Sequence, residues 1–242
     1  MKLHEAAEGV YYVVGRSGVP DAGNQGFMSN AGFVVTSRGV VVYDALGTPS
    51  LAWKLLQKIR TVTDQPVTRV IAGHYHADHI YGLQVFKDHT DAVIWAQEDA
   101  AGYVDSRGAR RRLEQRRQAL FPWVDEATRL APPDRTFAER QTFDMGGRRL
   151  ELLHVGPAPR IIIPGHGAAS KDTSGAIRFM RGYITGLRER MGEAVRNLRP
   201  FEQAYADADW SQYRGLPAFE ATHRSNAYNV YLELQEELGG GF

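Results

Sequence analysis

The alternation of apolar and polar positions predicts β-strands in the first part of the chain. Residues 10–14 form an apolar run rich in β-branched and aromatic side chains, and similar runs occupy residues 31–36 and 40–43. The last two runs flank Ser37-Arg38-Gly39, where the glycine can adopt the positive φ that a tight turn needs. We therefore predict a β-hairpin here and a first third that is rich in strands.

A helix and a further strand are predicted next. Thr48 is a favourable N-cap and Pro49 suits the first helical turn. Apolar residues then recur at helical spacing to about residue 62, namely Leu51, Leu55, Leu56 and Ile59. Residues 67–72 are typical of a short buried strand. This order of elements indicates an α/β fold with a functional site where strands end.

The rest of the chain is predicted to contain a helix and several strands, followed by helices alone. A long helix is expected over residues 98–124. Further strands are expected at residues 136–143, 149–155 and 160–163. Further helices are expected at residues 176–198, 201–206 and 226–238. We interpret residues 1–242 as a single domain, with residues 176–242 as a helical portion packed on it.

Composition and charge restrict the class of partner. The chain has 242 residues, of which 43% are hydrophobic and 24% charged, as in ordinary globular proteins. A net charge of +1 gives no reason to expect nucleic acid as a partner, so we expect a small-molecule substrate. No cysteine is present, so a metal ion must be bound by histidine, aspartate or glutamate.

The sequence also gives an expectation for the compartment. No apolar run reaches the length of a membrane span, so we expect no membrane partner. The first residues lack the apolar stretch of a signal peptide. The chain is therefore expected to be cytoplasmic as written, or periplasmic if a leader was removed from it.

Arginines are concentrated in the predicted helix 98–124. They are Arg107, Arg110, Arg111, Arg112, Arg116 and Arg117. One interpretation is a face that binds phosphate or RNA. Because the total charge is near neutral, and because Asp105 and Glu114 lie among the arginines, a solvated helix is favoured.

The segment Gly73-His74-Tyr75-His76-Ala77-Asp78-His79 is the most informative part of the chain. Imidazole and carboxylate groups are the usual ligands of catalytic zinc. Side chains at positions i and i+2 of an extended segment point the same way, so His74 and His76 can bind one ion. The alternative interpretation is a polar loop whose histidines bond to the backbone.

The last two residues of this cluster can face a second ion. A helix is expected to begin at about Ile80, so Asp78 and His79 lie a turn further along than the first two histidines. Two ions roughly 3.5–4 Å apart can share a hydroxide and polarise a carbonyl or phosphoryl oxygen. Asp78 is suited to accept a proton or to orient that hydroxide, which makes it our candidate catalytic residue.

A more distant ligand is expected at His166. It lies in Pro164-Gly165-His166-Gly167, directly after the predicted strand 160–163. A strand that ends in a glycine-flanked turn can bring one imidazole to the same sheet edge as the first cluster. The alternative interpretation is an ordinary turn histidine.

These residues resemble the metallo-β-lactamase fold of zinc hydrolases. The similarity is carried by the His74–His79 cluster, Asn30-Ala31-Gly32-Phe33, Val42-Tyr43-Asp44-Ala45-Leu46-Gly47, Leu152-Leu153-His154-Val155-Gly156-Pro157-Ala158 and Ile163-Pro164-Gly165-His166-Gly167. The resemblance implies an αββα sandwich with zinc bound at the sheet edges. It also implies that His74 and His76 hold one ion, while Asp78, His79 and His166 hold the other.

The resemblance breaks after Ala158. In the family, a histidine of the first zinc site follows the Gly-Pro-Ala segment directly, and an aspartate that bridges the ions comes a few strands later. Here Pro159-Arg160-Ile161 leads into the last predicted strand. Two strands and a helix, ~50 residues at ordinary element lengths, are therefore missing from the pattern. His154 replaces the lost ligand only if the local path has changed, but one ion with three protein ligands remains sufficient for catalysis.

Such a loss has a consequence for folding. Removal of interior strands exposes sheet edges and apolar faces, so we predict a weakened fold that is prone to form homo-oligomers. The alternative is that the protein is a longer, intact enzyme and that the sequence as written lacks a stretch of it. The intact mass of the protein, compared with the 27.0 kDa of this sequence, separates the two explanations.

The leading functional hypothesis is a zinc-dependent hydrolase of ester, thioester, amide or lactam bonds, with one or two ions. The alternatives are a phosphodiesterase or nuclease on the same scaffold, and a truncated relative that binds metal without turnover. Residues 225–229 are similar to one branch, the zinc metallohydrolases associated with quinoprotein relay and sulfur oxidation systems. Asp44 either supports the metal ligands and their loop or is an ordinary turn aspartate.

Overall fold

The computed structural model describes residues 1–153 and 163–239. The chain divides into two compact units, Met1–Ala169 and Ser170–Phe242. Within the described residues, no helix is both long enough and apolar enough to cross a membrane.

A mixed β-sheet forms the centre of the first unit. Its strands are β1 (Leu3–Ala7), β2 (Val10–Val13), β3 (Ala31–Thr36), β4 (Gly39–Tyr43), β5 (Val67–Ala72), β6 (Val93–Gln97) and β7 (Arg135–Phe137). Their order in the sheet follows their order in the chain. The strands from β1 to β4 pair antiparallel, whereas those from β4 to β7 pair parallel.

Helices and a second, smaller sheet complete the first unit. The helices are α1 (Pro49–Arg60), α2 (Ala77–Ile80), α3 (Leu83–His89), α4 (Glu98–Ala101) and α5 (Arg107–Leu120). The second sheet pairs β8 (Arg140–Asp144) antiparallel with β9 (Arg149–Leu153).

Successive residues of β4 face opposite layers, as the pleat of a strand requires. Val42 is fully buried in the main core together with Leu55 of α1 and Phe86 of α3. Val41 instead packs in a cluster with Phe143 of the second sheet. The large sheet therefore lies between a layer of helices and the small sheet, which confirms the predicted mixed α/β class.

Several local predictions are confirmed in detail. β3 and β4 form the expected hairpin with Thr36 opposite Gly39, and the φ angle of Gly39 is +110°. The hydroxyl of Thr48 accepts a hydrogen bond from the Leu51 N–H at 3.3 Å, so α1 begins where its capping residue predicts.

Two helix predictions are wrong in their boundaries. The single helix expected over residues 98–124 is two helices, because the Ser106 hydroxyl accepts from the Ala109 N–H at 3.1 Å and caps a new one. The helix expected to begin near Ile80 already begins at Ala77, with the extended His76 as its N-cap residue.

The prediction of a single strand over residues 136–143 is also wrong. The chain leaves the large sheet after Phe137 and enters the small sheet at Arg140, so one apolar pattern covers strands of two sheets. The predicted strand 160–163 lies outside the described residues except for its last position. The same holds for His154 and for the join after Ala158.

The second unit is helical and has its own core. It contains α6 (Thr173–Arg196), α7 (Phe201–Asp207), a 3-10 turn (Ser211–Tyr213) and α8 (Phe219–Gly239). Its buried residues include Met191, Trp210, Ala227 and Tyr231. The helix expected over 226–238 begins earlier, at Phe219. The packing of residues 176–242 on the rest of the chain stays a prediction.

The loop after β4 is tied closely to α2. The Ala45 N–H donates to the His79 carbonyl at 2.9 Å, and the Gly82 N–H donates to the Leu46 carbonyl at 3.1 Å. A Cβ atom on Gly82 would lie only 1.8 Å from the Ala45 carbonyl oxygen. Residue 82 must therefore be glycine for the chain after the histidine cluster to approach this loop.

Replacement of Gly82 by alanine should lower the free energy of unfolding by about 1–3 kcal/mol or more, because the methyl group overpacks this contact. Urea unfolding measures the change. Gly108→Ala is the matched control, since its Cβ would meet only the Ser106 hydroxyl at 3.7 Å. The control should gain up to about 1 kcal/mol from helix propensity. A Gly82→Ala variant as stable as the parent protein would contradict the packing constraint.

Candidate metal centre

The histidine cluster lies where β5 ends and α2 begins. The chain is extended at His76 and becomes helical at Ala77. This change of conformation buries His79 completely and leaves Asp78 half-buried, while His74 is half-buried and His76 is exposed. The side chains of one short segment therefore occupy different depths at the same sheet edge.

Three of the predicted ligands come together at one point. The distance between Asp78 Oδ2 and His79 Nε2 is 3.4 Å, and that between Asp78 Oδ2 and His166 Nε2 is 3.2 Å. The two Nε2 atoms of His79 and His166 are 3.4 Å apart. The three ligand atoms thus form a nearly equilateral triangle, which we call the Asp-His-His triad.

The size of this triangle fits a zinc ion. Zinc bonds to nitrogen and oxygen are ~2.0–2.1 Å long, so neighbouring ligands at a tetrahedral angle are ~3.3–3.4 Å apart. The separations in the triad, 3.2–3.4 Å, agree with this spacing. Two imidazoles and one carboxylate also form a donor set that zinc accepts, with a fourth position for water.

Asp44 orients the first imidazole of the triad. Its Oδ2 lies 2.7 Å from His79 Nδ1, and its Oδ1 accepts a hydrogen bond from the Gly73 N–H at 2.7 Å. The carboxylate therefore keeps one proton of His79 on Nδ1, so that Nε2 is the atom directed at the triad. Of the two interpretations left open for Asp44, the contacts favour support of the ligands and their loop.

A backbone carbonyl orients the second imidazole. His166 Nδ1 lies 3.0 Å from the Met28 carbonyl oxygen. A carbonyl oxygen only accepts hydrogen bonds, so this Nδ1 must carry a proton and Nε2 is again the atom that a metal would bind. Once the ion displaces the proton on Nε2, both histidines of the triad are therefore left in the tautomer that metal ligation requires.

Asn30 fixes the loop that carries His166. Its side-chain Nδ2 donates to the carbonyls of Pro164 and Gly167, both at 2.7 Å, and its backbone N–H donates to the Gly165 carbonyl at 2.6 Å. Asn30 is only 2% exposed. Sequence reasoning noted this residue as part of a family-like motif and missed its role, because its partners lie more than 130 residues away.

His74 and His76 lie beside the triad. Their ring centroids are 4.7 Å apart, and the His74 ring is 4.1 Å from that of His79. Among the described residues, the triad is the only group of three ligands close enough to share an ion. The predicted first site, with His74 and His76 as ligands, therefore stays a prediction.

The charges in the triad are strongly coupled. Burial lowers the pKa of His79, but hydrogen bonds to Asp44 and Asp78 outweigh it and raise that pKa to about 9. Burial also raises the pKa of Asp78, but hydrogen bonds from His166 and His79 hold it well below its usual range. His74, by contrast, has a pKa lowered to about 4 by burial and by the neighbouring His79. Near neutral pH, a metal ion must therefore displace a proton from the triad but not from His74.

The sequence comparison identifies the family. Residues 24–166 match the family model of the Metallo-beta-lactamase superfamily. This match covers more than half of the 242 residues, so the chain belongs to the Metallo-beta-lactamase superfamily. Members of the superfamily are typically metal-dependent hydrolases. The similarity to the quinoprotein relay branch stays a prediction, and no curated protein matches the chain.

Two of the solved structures to which this chain is similar are metallo-beta-lactamases. One from Pontibacter korlensis has 21% identity and a TM-score of 0.45 over 62% of this chain and 58% of that one. One from Pseudomonas aeruginosa, in its mono-zinc form, has 14% identity and a TM-score of 0.41 over 57% of this chain and 50% of that one. This chain thus spans between half and three fifths of their lengths.

Zinc binding should depend on pH because the ion must displace a proton. His79, with a pKa of about 9, carries an extra proton at neutral pH. The apparent zinc affinity should therefore rise about tenfold per pH unit from pH 6.5 to 9 and then level off. Competition with a chromophoric chelator measures this.

The metal-free protein should show the opposite trend. A folded-state pKa above the unfolded value of 6.5 stabilises the fold fully below pH 6.5, and this stabilisation is lost as the pH rises through about 9. Urea unfolding of the metal-free protein at several pH values is the control. A zinc affinity that does not change between pH 6.5 and 9 would contradict the protonated state of His79.

Asn30→Leu should weaken zinc binding about 10- to 100-fold, the usual cost of losing a residue that orients a metal ligand. The loss should be much smaller when Asn30→Leu is added to His166→Ala, because the residue acts through His166. Zinc affinity of the two single variants and the double variant tests this. Additive losses would instead indicate general destabilisation.

Proposed function

We propose that this protein is a zinc-dependent hydrolase that acts on a carbonyl bond, such as an ester, thioester, amide or lactam. The observation that carries the proposal is the triad of Asp78, His79 and His166. Its ligand atoms lie 3.2–3.4 Å apart, and both imidazoles are held with Nε2 directed at the same point. Membership of a superfamily of typically metal-dependent hydrolases supports the same conclusion.

Each residue of the triad and each group that orients it has a distinct role in this proposal. His79 and His166 offer neutral nitrogen donors, and Asp78 offers the negative charge. Asp44 and the Met28 carbonyl keep the two imidazoles in the required tautomer. A zinc ion held by these three side chains would supply Lewis acidity for the activation of water and for polarisation of the substrate carbonyl.

Asp78 is better suited to ligate and orient than to accept a proton. In the metal-free protein, hydrogen bonds from the protonated His166 and His79 hold its pKa well below the usual range, and the positive charge of a bound ion would act in the same direction. A carboxylate with so low a pKa is a weak base at neutral pH. We therefore assign Asp78 to the ligand set and to the orientation of the attacking water.

We propose one zinc ion per chain, bound at the triad. His74 and His76 lie beside each other and beside the triad. Among the described residues, no third ligand atom lies close enough to join them in binding a separate ion. A structural zinc site needs four protein ligands, whereas three suffice for a catalytic site with an open position. The triad meets the second requirement by itself.

Zinc analysis by mass spectrometry should give about one ion per chain, and His166→Ala should lose it together with hydrolysis of p-nitrophenyl acetate. His89→Ala is the matched control, because His89 is an exposed histidine on α3 and should keep both properties. Two bound ions would support a complete two-metal site instead. Zinc binding without hydrolysis of any ester, thioester, amide or lactam would support the alternative of a metal-binding relative without turnover.

A further inference from the structure

The helix α2, which carries two ligands of the triad, is a single turn, so its backbone carbonyls need partners from outside it. The Ala77 carbonyl accepts from the Tyr81 N–H at 3.2 Å, as in a regular helix. The N–H that would serve Asp78 in the same way belongs to Gly82, but it donates to the Leu46 carbonyl at 3.1 Å. The Asp78 carbonyl is therefore left for a partner from another part of the chain.

Ser29 is that partner. Its hydroxyl donates to the Asp78 carbonyl, although the two residues are 49 positions apart. Ser29 is 0% exposed, and a buried carbonyl that loses its donor is costly, so this bond fixes where the turn lies. The next carbonyl, that of His79, accepts from the Ala45 N–H at 2.9 Å. Both ligand residues of α2 are thus held through their backbone by loops that are distant in sequence.

The neighbours of Ser29 hold the third ligand of the triad. The Met28 carbonyl accepts from His166 Nδ1 at 3.0 Å, and the Asn30 N–H donates to the Gly165 carbonyl at 2.6 Å. Three consecutive residues, Met28-Ser29-Asn30, therefore contact both α2 and the loop of His166. We call them the anchor segment.

The anchor segment is itself held by the chain after β2. The Gly15 N–H donates to Asn30 Oδ1 at 3.0 Å, and the Arg16 N–H donates to the Phe27 carbonyl at 2.8 Å. A Cβ atom on Gly15 would overlap the carbonyl group of Met28, so the two backbones are packed as closely as glycine allows. The anchor segment therefore has little room to shift.

We propose that Ser29 is a positioning residue for Asp78, and that the anchor segment sets the separation of Asp78 and His166 before a metal ion binds. That separation, 3.2 Å between Asp78 Oδ2 and His166 Nε2, is one edge of the triad. An ion then meets ligands that are already arranged, which strengthens binding because little ordering is left to be done. The inference rests on the metal site of the proposed function, and not on the bond that is hydrolysed.

The alternative is that Ser29 only stabilises the fold. A matched control for this is Thr36, which is also buried and whose hydroxyl donates to the Gly39 carbonyl at 2.6 Å. Thr36 ends β3, whereas Asn30 directly precedes its first residue. Thr36→Val therefore removes a similar hydroxyl at the end of the strand that does not adjoin the anchor segment.

Metal affinity and the geometry of the bound metal test the positioning role. Ser29→Ala should weaken zinc binding about 10- to 100-fold, as for other residues that orient a metal ligand, while Thr36→Val keeps the parent affinity. Competition with a chromophoric chelator measures this. With cobalt(II) in place of zinc, the visible absorption bands should shift in Ser29→Ala and not in Thr36→Val, because they report how the ligands are arranged around the ion.

A double variant shows whether Ser29 acts through Asp78. Ser29→Ala should weaken metal binding much less in an Asp78→Ala protein than in the parent, because the ligand that it positions is already absent. Additive losses would overturn the inference, as would an equal loss in Thr36→Val.

Two further results of these measurements would also overturn the inference. One is an unchanged zinc affinity and cobalt spectrum in Ser29→Ala. The other is a Ser29→Ala protein that stays unfolded by circular dichroism in saturating zinc, since a positioning role predicts a folded protein with a weaker site. Zinc binding that depends on Ser29 in a protein without hydrolysis would contradict the hydrolase function and support this inference.

Discussion

The buried carboxylate of Asp44 joins the fold to the metal ligands. One oxygen accepts from the Gly73 N–H, where the histidine cluster begins, and the other bonds to His79 inside the cluster. A buried carboxylate is costly unless its oxygens are paired. Asp44 also has a φ angle of +63°, a conformation that costs on the order of 1–3 kcal/mol in a non-glycine residue. The backbone after β4 and the ligand arrangement therefore stabilise each other, and neither can change alone.

The parts of the fold that sequence predicted are those determined by neighbouring residues. The hairpin at Gly39 and the start of α1 at Thr48 depend on local turn and capping chemistry, and both are confirmed. The transition between residues 137 and 140 was missed, because β7 and β8 have the same local pattern and differ only in which sheet receives them. β6 was also not predicted, since its place between two parallel strands depends on contacts with distant segments.

In the candidate site, too, the sequence predicted the residues but not the contacts with distant parts of the chain. Residue type and spacing were enough to predict Asp78, His79 and His166 as ligands, and the structure brings these three together. Their orientation depends on Asn30 and on the Met28 carbonyl, which no local pattern connects with residue 166. The arginines of α5 are identical in type, and only the placement of the helix separates the half-buried Arg112 from the exposed Arg111.

The distance along the chain between the two imidazoles of the triad has a consequence for how the fold is held together. His79 and His166 are 87 residues apart. An ion that binds both closes a long loop, as a disulfide would, and removes conformational entropy from the unfolded chain. On the chain-entropy model, a cross-link across such a loop stabilises the fold by about 4–5 kcal/mol. The hydrogen bonds of Asn30 join residues 164–167 to the start of β3 and do not replace this link between residues 79 and 166. An ion bound at the triad would therefore cross-link the fold at the same place where we propose that it takes part in hydrolysis.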